Sequence, residues 1–135
     1  LVNLNHNKFS KDHEWVSTQG DGEGKIGLTA YAQEMLGDIV YLDLPEVGKH
    51  LKQFEKMGEV ESVKAVSEIF SPVGGEVTAV NPRVKDDPKV INDDPYGEGW
   101  ILKLKMSNKS ESSALMDSVG YDQYVAALRA DKCGS

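Results

Sequence analysis

A single cysteine, Cys133, stands among 135 residues, so no disulfide forms within the chain and a reducing compartment is the simpler setting. No apolar run approaches the roughly 20 residues of a membrane span, and no signal-peptide pattern is present. Basic residues are in deficit, 15 against 22 acidic ones, for a net charge of −7. Nucleic acid requires a basic face, so the deficit argues against it and favours encounter with basic protein surfaces. His6, His13 and His50 are scattered, and no Cys/His pair has zinc-ligand spacing. Asp86-Asp87 and Asp93-Asp94 lie beside prolines and lack the ligand spacing of a calcium loop. No G-x-S-x-G nucleophile elbow occurs, so the chain offers little for catalysis of its own.

What is present is the balance of one globular domain, 39% hydrophobic and 27% charged. Trp15–Thr18 and Lys25–Thr29 read as strands of a hairpin around the glycine-rich turn Gln19–Gly24. Gly22-Glu23-Gly24-Lys25-Ile26-Gly27 matches G-x-G-x-x-G, but the following residues alternate like a strand, so no helix faces a pyrophosphate there. Thr29 is placed to cap a helix over Ala30–Leu36, which Gly37 ends. Asp38–Leu44 is a β-branched strand closed by Pro45 and Gly48. Two further strands follow in Val60–Ile69, then the turn Ser71–Gly75 and a strand over Glu76–Val80. Asn81-Pro82, Asp87-Pro88 and Asp94-Pro95 punctuate an irregular stretch. Trp100–Met106 alternates, with the lysines on its exposed face. Ser110 is expected to cap a helix through Met116, and Tyr121, Tyr124, Val125 and Leu128 mark one face of a final helix.

These elements predict a mainly β fold with peripheral helices. Pro45 with Gly48, and Pro72 with Gly74-Gly75, form an echo on either side of Val60–Ile69. The echo predicts two similar half-sheets, a flattened barrel with Lys64 at its apex. Lys64 is one of 13 lysines, but it is held at the tip of a stiff hairpin between small and β-branched neighbours. A hairpin tip does not provide the dry pocket that lowers a lysine pKa for Schiff-base chemistry. It does present an amine for covalent modification.

The run Glu61-Ser62-Val63-Lys64-Ala65, with Ser71-Pro72 and Gly75-Glu76-Val77 downstream, resembles the lipoyl-attachment signature of the glycine cleavage system H-protein family. The resemblance extends through Lys8-Phe9, His13-Glu14-Trp15-Val16, Gly27-Leu28-Thr29, Ala32-Gln33 and Leu36–Val40. It continues in Leu44–Gly48, Ile91-Asn92, Pro95-Tyr96 and Gly99-Trp100, all in order from about Lys8 to Val125. Biotin carriers typically place methionine beside the lysine, where this chain has Val63 and Ala65. Lipoyl domains of 2-oxo-acid dehydrogenase complexes usually have aspartate before the lysine and lack the His13-Glu14-Trp15 element. A lipoyl or biotinyl carrier domain of another multienzyme complex is the alternative reading.

The resemblance implies a lipoyl/biotinyl-carrier type of flattened barrel or sandwich hybrid, built from two antiparallel sheets with short peripheral helices and a C-terminal helix. It implies a flexible segment over 1–7, one carrier domain over 8–131 and a flexible tail over 132–135. It implies lipoate, covalently attached as N6-lipoyllysine at Lys64, and no catalytic residue. The implied partners are a pyridoxal-phosphate glycine decarboxylase, a tetrahydrofolate-dependent aminomethyltransferase, dihydrolipoyl dehydrogenase and a lipoate-attaching enzyme. Between them a monomeric carrier shuttles an aminomethyl group. Glu14, Glu68 and Thr29 are implied to receive the loaded arm, while Trp15 reads as packing. Glu68 stands for aspartate in some relatives, which lengthens its reach. Met35 stands for histidine in some, which tells against a docking role there. The chain opens at Leu1 without a methionine, which favours a processed mitochondrial form; the alternative is the bacterial cytoplasm.

Overall fold

The computed structural model describes residues 7–18 and 22–134, the side chains of 109 and 131–134 excepted. The middle of the expected turn over Gln19–Gly24 lies outside the described residues, as do 1–6 and Ser135. Strands β1 (Asn7–Phe9), β2 (Glu14–Thr18) and β3 (Glu23–Leu28) pair as an antiparallel meander. Gly24 and Gly27 are strand residues, so the glycine-rich match opens no helix, as expected. Gly27 faces Trp15 across the ladder, and a methyl group there would stand 2.7 Å from the indole. The indole thus requires the missing Cβ in order to lie flat on β3.

Thr29 caps α1 (Ala30–Leu36), its hydroxyl accepting from the Ala32 N–H at 3.2 Å, and Gly37 ends the helix at φ +80°. Then come β4 (Ile39–Asp43), β5 (His50–Leu51), β6 (Lys56–Ser62), β7 (Val66–Phe70) and β8 (Gly75–Val80). The stretch expected to be irregular holds two short helices, α2 (Pro82–Asp86) and α3 (Val90–Asp93). Here the prolines that read as punctuation help to start structure. Asn81 caps α2 through Arg83 N–H, and Pro82 fills the first turn, where its missing donor costs nothing. Strand β9 (Leu102–Met106) follows, with Leu102 and Leu104 buried and Lys105 exposed.

The helix expected from Ser110 to Met116 is instead a 3-10 segment over Lys109–Ala114, capped by Asn108 rather than Ser110. Three serines within that segment favour local hydrogen bonds over an α-helix. Met116 is drawn away to bridge back onto Phe9 of β1. The last helix, α4 (Ser118–Gly134), turns the expected face inward, with Tyr121 buried and Tyr124, Val125 and Leu128 partly so.

Two antiparallel sheets result, as the patterning predicts: six strands ordered β1–β2–β3–β9–β8–β5, and three ordered β4–β6–β7. Val16, Ile26, Leu42, Val60, Ile69 and Leu104 belong to the buried apolar core. A second cluster, Phe9, Trp15 and Tyr121, packs beneath α4. The sheets do not close into a barrel, and at six strands against three they are not the similar halves that the echo implied. Its prolines and glycines mark chain reversals, and reversals recur in any antiparallel fold whatever its symmetry.

Candidate functional site

Strands β6 and β7 pair from Lys56 opposite Phe70 to Glu61 opposite Val66, leaving Val63, Lys64 and Ala65 as the tip. Ser62 organises it. Its N–H donates to Ala65 O at 2.8 Å, and its Oγ accepts from the N–H groups of Lys64 (3.3 Å) and Ala65 (3.1 Å). On the other side the Val63 N–H donates to Asp38 O at 3.0 Å. The backbone on both flanks of Lys64 is therefore fixed while its side chain stays exposed. Val63 and Val66 are also exposed, at 69% and 62%.

Asp38 is itself held from behind. Asn92, on α3, donates from Nδ2 to Gly37 O (2.8 Å) and to Gln33 Oε1 (3.0 Å), while its Oδ1 accepts from the Ile39 N–H (3.0 Å). One amide thus satisfies the carbonyl left over at the end of α1 and the first donor of β4. Gly37 also borders Lys64: a Cβ built on Gly37 would lie 3.6 Å from Lys64 Cε.

Along β7 an open groove runs past Val66, Ser67 and Glu68, and its Asp12, His13, Ser67 and Glu68 also line a neighbouring cavity of about 400 Å³. Leu28, Tyr31, Met35, Leu36, Val60 and Leu128 give that cavity a mainly apolar wall, and Glu14 and Glu68 place carboxylates in it. Met35 lies in this wall even though it is not histidine.

The two glutamates differ sharply. Glu14 is buried at 1% exposure, accepts at Oε1 from the Ser10 hydroxyl (2.5 Å) and at Oε2 from the Phe70 N–H (3.2 Å). Burial pushes its carboxyl up to about 7, against the pull of those donors towards the ionised form. Glu68 is exposed and lies 3.9 Å from Lys56 Nζ, which also reaches Glu59 at 3.7 Å. Thr29 is not in the cavity wall. It is fully buried, and its hydroxyl meets the Tyr121 hydroxyl at 2.7 Å, which in turn meets His13 Nδ1 at 2.9 Å. His13, at φ +71°, packs on Tyr31 with ring centroids 4.7 Å apart, and burial lowers its pKa. Thr29 therefore stands behind the cavity wall, bonded to its His13 and Ala32 and to Tyr121. Trp15 is structural, its Nε1–H donating to Leu28 O (3.0 Å) and Pro95 O (3.1 Å).

Three residues of this region escape a reading by pattern: Ser10, Tyr121 as a hydrogen-bonding group, and Asn92 as a clamp. Only Asn92 lies within a recognisable motif, and nothing in that motif says what its amide holds. An exposed primary amine on a rigid tip, beside a groove that adjoins a mainly apolar cavity lined also by Asp12, Glu14 and Glu68, suits a long covalent arm whose far end is cationic. Among the described residues no group of three or more His, Cys, Asp or Glu side chains is arranged so that it could hold a metal ion.

Comparison with known proteins agrees with this geometry. The family model for "Glycine cleavage H-protein" matches residues 7–128. A glycine cleavage system H protein from Symbiobacterium thermophilum is 50% identical over 118 residues, 87% of this chain and 91% of that protein. One from Marinobacter nauticus is 44% identical over 120 residues, 89% of this chain and 92% of that protein. A crystal structure of a glycine cleavage system H protein from Mycobacterium marinum superposes with a TM-score of 0.77 at 34% identity, covering 97% of this chain and 98% of that one.

Proposed function

The chain belongs to the glycine cleavage H-protein family, and from that premise we propose that it is the lipoyl-bearing shuttle of the glycine cleavage system, with lipoate in amide linkage to Lys64. The observation that carries the assignment is the position of Lys64, exposed on a tip whose backbone is held on both flanks, two residues before Val66 of the groove along β7. Lipoate, when bound, supplies a disulfide that takes up a one-carbon amine with two electrons and is restored by reoxidation.

The chain's own residues present and shelter. The Ser62 and Asp38 contacts hold the tip out for other enzymes. Leu28, Tyr31, Met35, Leu36, Val60 and Leu128 offer the arm an apolar bed, and an end group lying on it is screened from water, which suppresses its hydrolysis. Glu14 and Glu68 face a cationic end group, and such a group favours the ionised form of Glu14. Thr29 supports this site from behind, holding Tyr121 and through it His13.

In this reading the protein catalyses no step. It passes an aminomethyl group from a pyridoxal-phosphate glycine decarboxylase to a tetrahydrofolate-dependent aminomethyltransferase, and dihydrolipoyl dehydrogenase reoxidises it. A lipoate-attaching enzyme charges it first. A monomer suits a shuttle that docks on several enzymes. The relatives compared are bacterial, so the bacterial cytoplasm is the compartment proposed, and the expectation of a processed mitochondrial form has no support from them. Family membership sets aside a carrier domain of another multienzyme complex.

Incubation with a lipoate–protein ligase, lipoate and ATP, followed by intact-mass and peptide analysis, tests the assignment. Lys64 takes one lipoyl group, Lys64→Arg takes none, and the lipoylated chain stimulates glycine–bicarbonate exchange by the decarboxylase. Modification at another lysine, or retention of the charged chain on streptavidin, overturns the reading.

A further inference from the structure

We infer that Asn92 is a positioning residue for Lys64: its side-chain amide clamps the Gly37–Ile39 segment on which the lysine-bearing tip is seated. The inference rests on the reading of Lys64 as the attachment site and adds a residue that touches neither the lysine nor the arm. Asn92 uses both Nδ2 hydrogens and Oδ1, on Gly37 O, Gln33 Oε1 and the Ile39 N–H. The two backbone groups flank Asp38, and the Asp38 carbonyl is the acceptor for the Val63 N–H, one residue before Lys64. Gly37 borders the lysine stem at Cε.

The chain of contacts is thus α3 to the end of α1, to Asp38, to Val63, to the tip. It crosses from one short helix to the apex of the three-stranded sheet without passing through the apolar core. A hairpin tip has little of its own to hold it, since Val63, Lys64, Ala65 and Val66 are all exposed. Ser62 orders the turn internally and pairs with Ile39 at the end of the β4–β6 ladder, and the Val63 bond carries that tie one residue further into the tip. Loosening Asp38 leaves the tip folded yet able to sample orientations that a ligase does not accept. A ligase that binds only the seated form sees its apparent affinity reduced by the fraction seated. Attachment joins the activated lipoyl carboxyl to Nζ, with loss of the adenylate leaving group and one proton from the amine. The seating acts before that step, on binding, so the Michaelis constant changes and the turnover of bound chain does not.

The test uses the unlipoylated full chain and compares two isosteric substitutions, Asn92→Asp and Asn81→Asp. Asn81 is the control: it is buried, and its Nδ2 donates to Glu98 O (2.9 Å) and Trp100 O (2.7 Å), neither of which holds the tip or the Gly37–Ile39 segment. Each change removes two donors and places a carboxylate against two oxygens. Asn92→Asp raises the ligase KM for the chain about tenfold, as seating of about one molecule in ten requires, with kcat unchanged. Amide hydrogen exchange speeds up at Val63 while Val77 and Leu104 keep their protection. Asn81→Asp leaves KM and Val63 exchange at wild-type values. Should Asn92→Asp fail to fold, Gln33→Met, which removes one acceptor of the clamp, raises KM in the same direction and to a smaller extent. An unchanged KM in a folded Asn92→Asp chain, or an equal rise in Asn81→Asp, overturns the positioning role. Failure of the wild-type chain to accept lipoate at Lys64 overturns the functional reading instead, and intact mass distinguishes the two.

Discussion

The hydroxyl of Ser10 donates to Oε1 of Glu14 at 2.5 Å, and the Glu14 N–H donates back to Ser10 Oγ at 3.1 Å. This reciprocal pair keeps a buried carboxyl partly ionisable. Removing the hydroxyl takes away a donor that favours the charged form, so Ser10→Ala raises the Glu14 titration midpoint above the wild-type value of about 7. Carbon-13 NMR titration of the Glu14 carboxyl reads the shift directly, and a lower midpoint would count against the bond.

The same carboxyl makes stability depend on pH. The folded chain keeps its proton up to about pH 7, whereas the unfolded chain loses it near 4.5. Between those values the folded state binds more protons, so the stabilising contribution is complete below about 4.5 and is lost as pH rises through about 7. At about 1.4 kcal/mol per unit the loss amounts to at most roughly 3–4 kcal/mol. Urea unfolding of wild type between about pH 5 and about pH 8 should therefore lose more stability than Glu14→Gln over the same range. Parallel curves would refute the assignment.

At Gly27 the prediction is steric. An added methyl meets the Trp15 ring at 2.7 Å, and the ring is fixed by hydrogen bonds to Leu28 O and Pro95 O. Gly27→Ala is expected to cost about 1–3 kcal/mol by overpacking. Chemical denaturation measures the loss, and a tryptophan emission shift reports the displaced indole.

Tyr121→Phe isolates one hydroxyl. The ring stays stacked on Phe9, with centroids 4.7 Å apart, but Thr29 and His13 lose their shared partner. The expected cost is about 1–2 kcal/mol, against about 3–5 kcal/mol for Tyr121→Ala, which also empties the space under α4. Thermal unfolding orders the two variants; equal losses would mean that the ring contributes nothing beyond its hydroxyl, and no loss in Tyr121→Phe that the hydroxyl contributes nothing.

The elements that pattern predicts are those whose local signal agrees with their packing. Thr29, seven helix residues and Gly37 make α1 legible to the residue, and the alternation in Leu102–Met106 gives the buried face of β9. The position of Lys64 on a hairpin tip is legible because a tip is a local feature of the sequence. The cavity is not, since Glu14, Glu68, Met35 and Leu128 come together only through sheet order and the path of α4. Thr29 illustrates the limit well: its residue type and motif are right, but tertiary packing turns its hydroxyl towards Tyr121 rather than the cavity. The Asn92 clamp is invisible for a similar reason, because its partners, two backbone groups and the Gln33 side chain, lie more than fifty residues away.

The pairing of β4 with β6 shifts between Ile39 and Tyr41, leaving Val40 and Tyr41 both exposed on neighbouring positions. β4 is also one border of its sheet, and such a break twists a border strand so that another chain cannot zip along it. The borders of the larger sheet are short instead, three residues in β1 and two in β5, and β1 is further occupied by its bridge to Met116. A carrier that meets many surfaces in turn needs contacts that end. Three of these four borders, all but β7, thus offer little free backbone, which keeps a meeting there a matter of side chains, and so reversible.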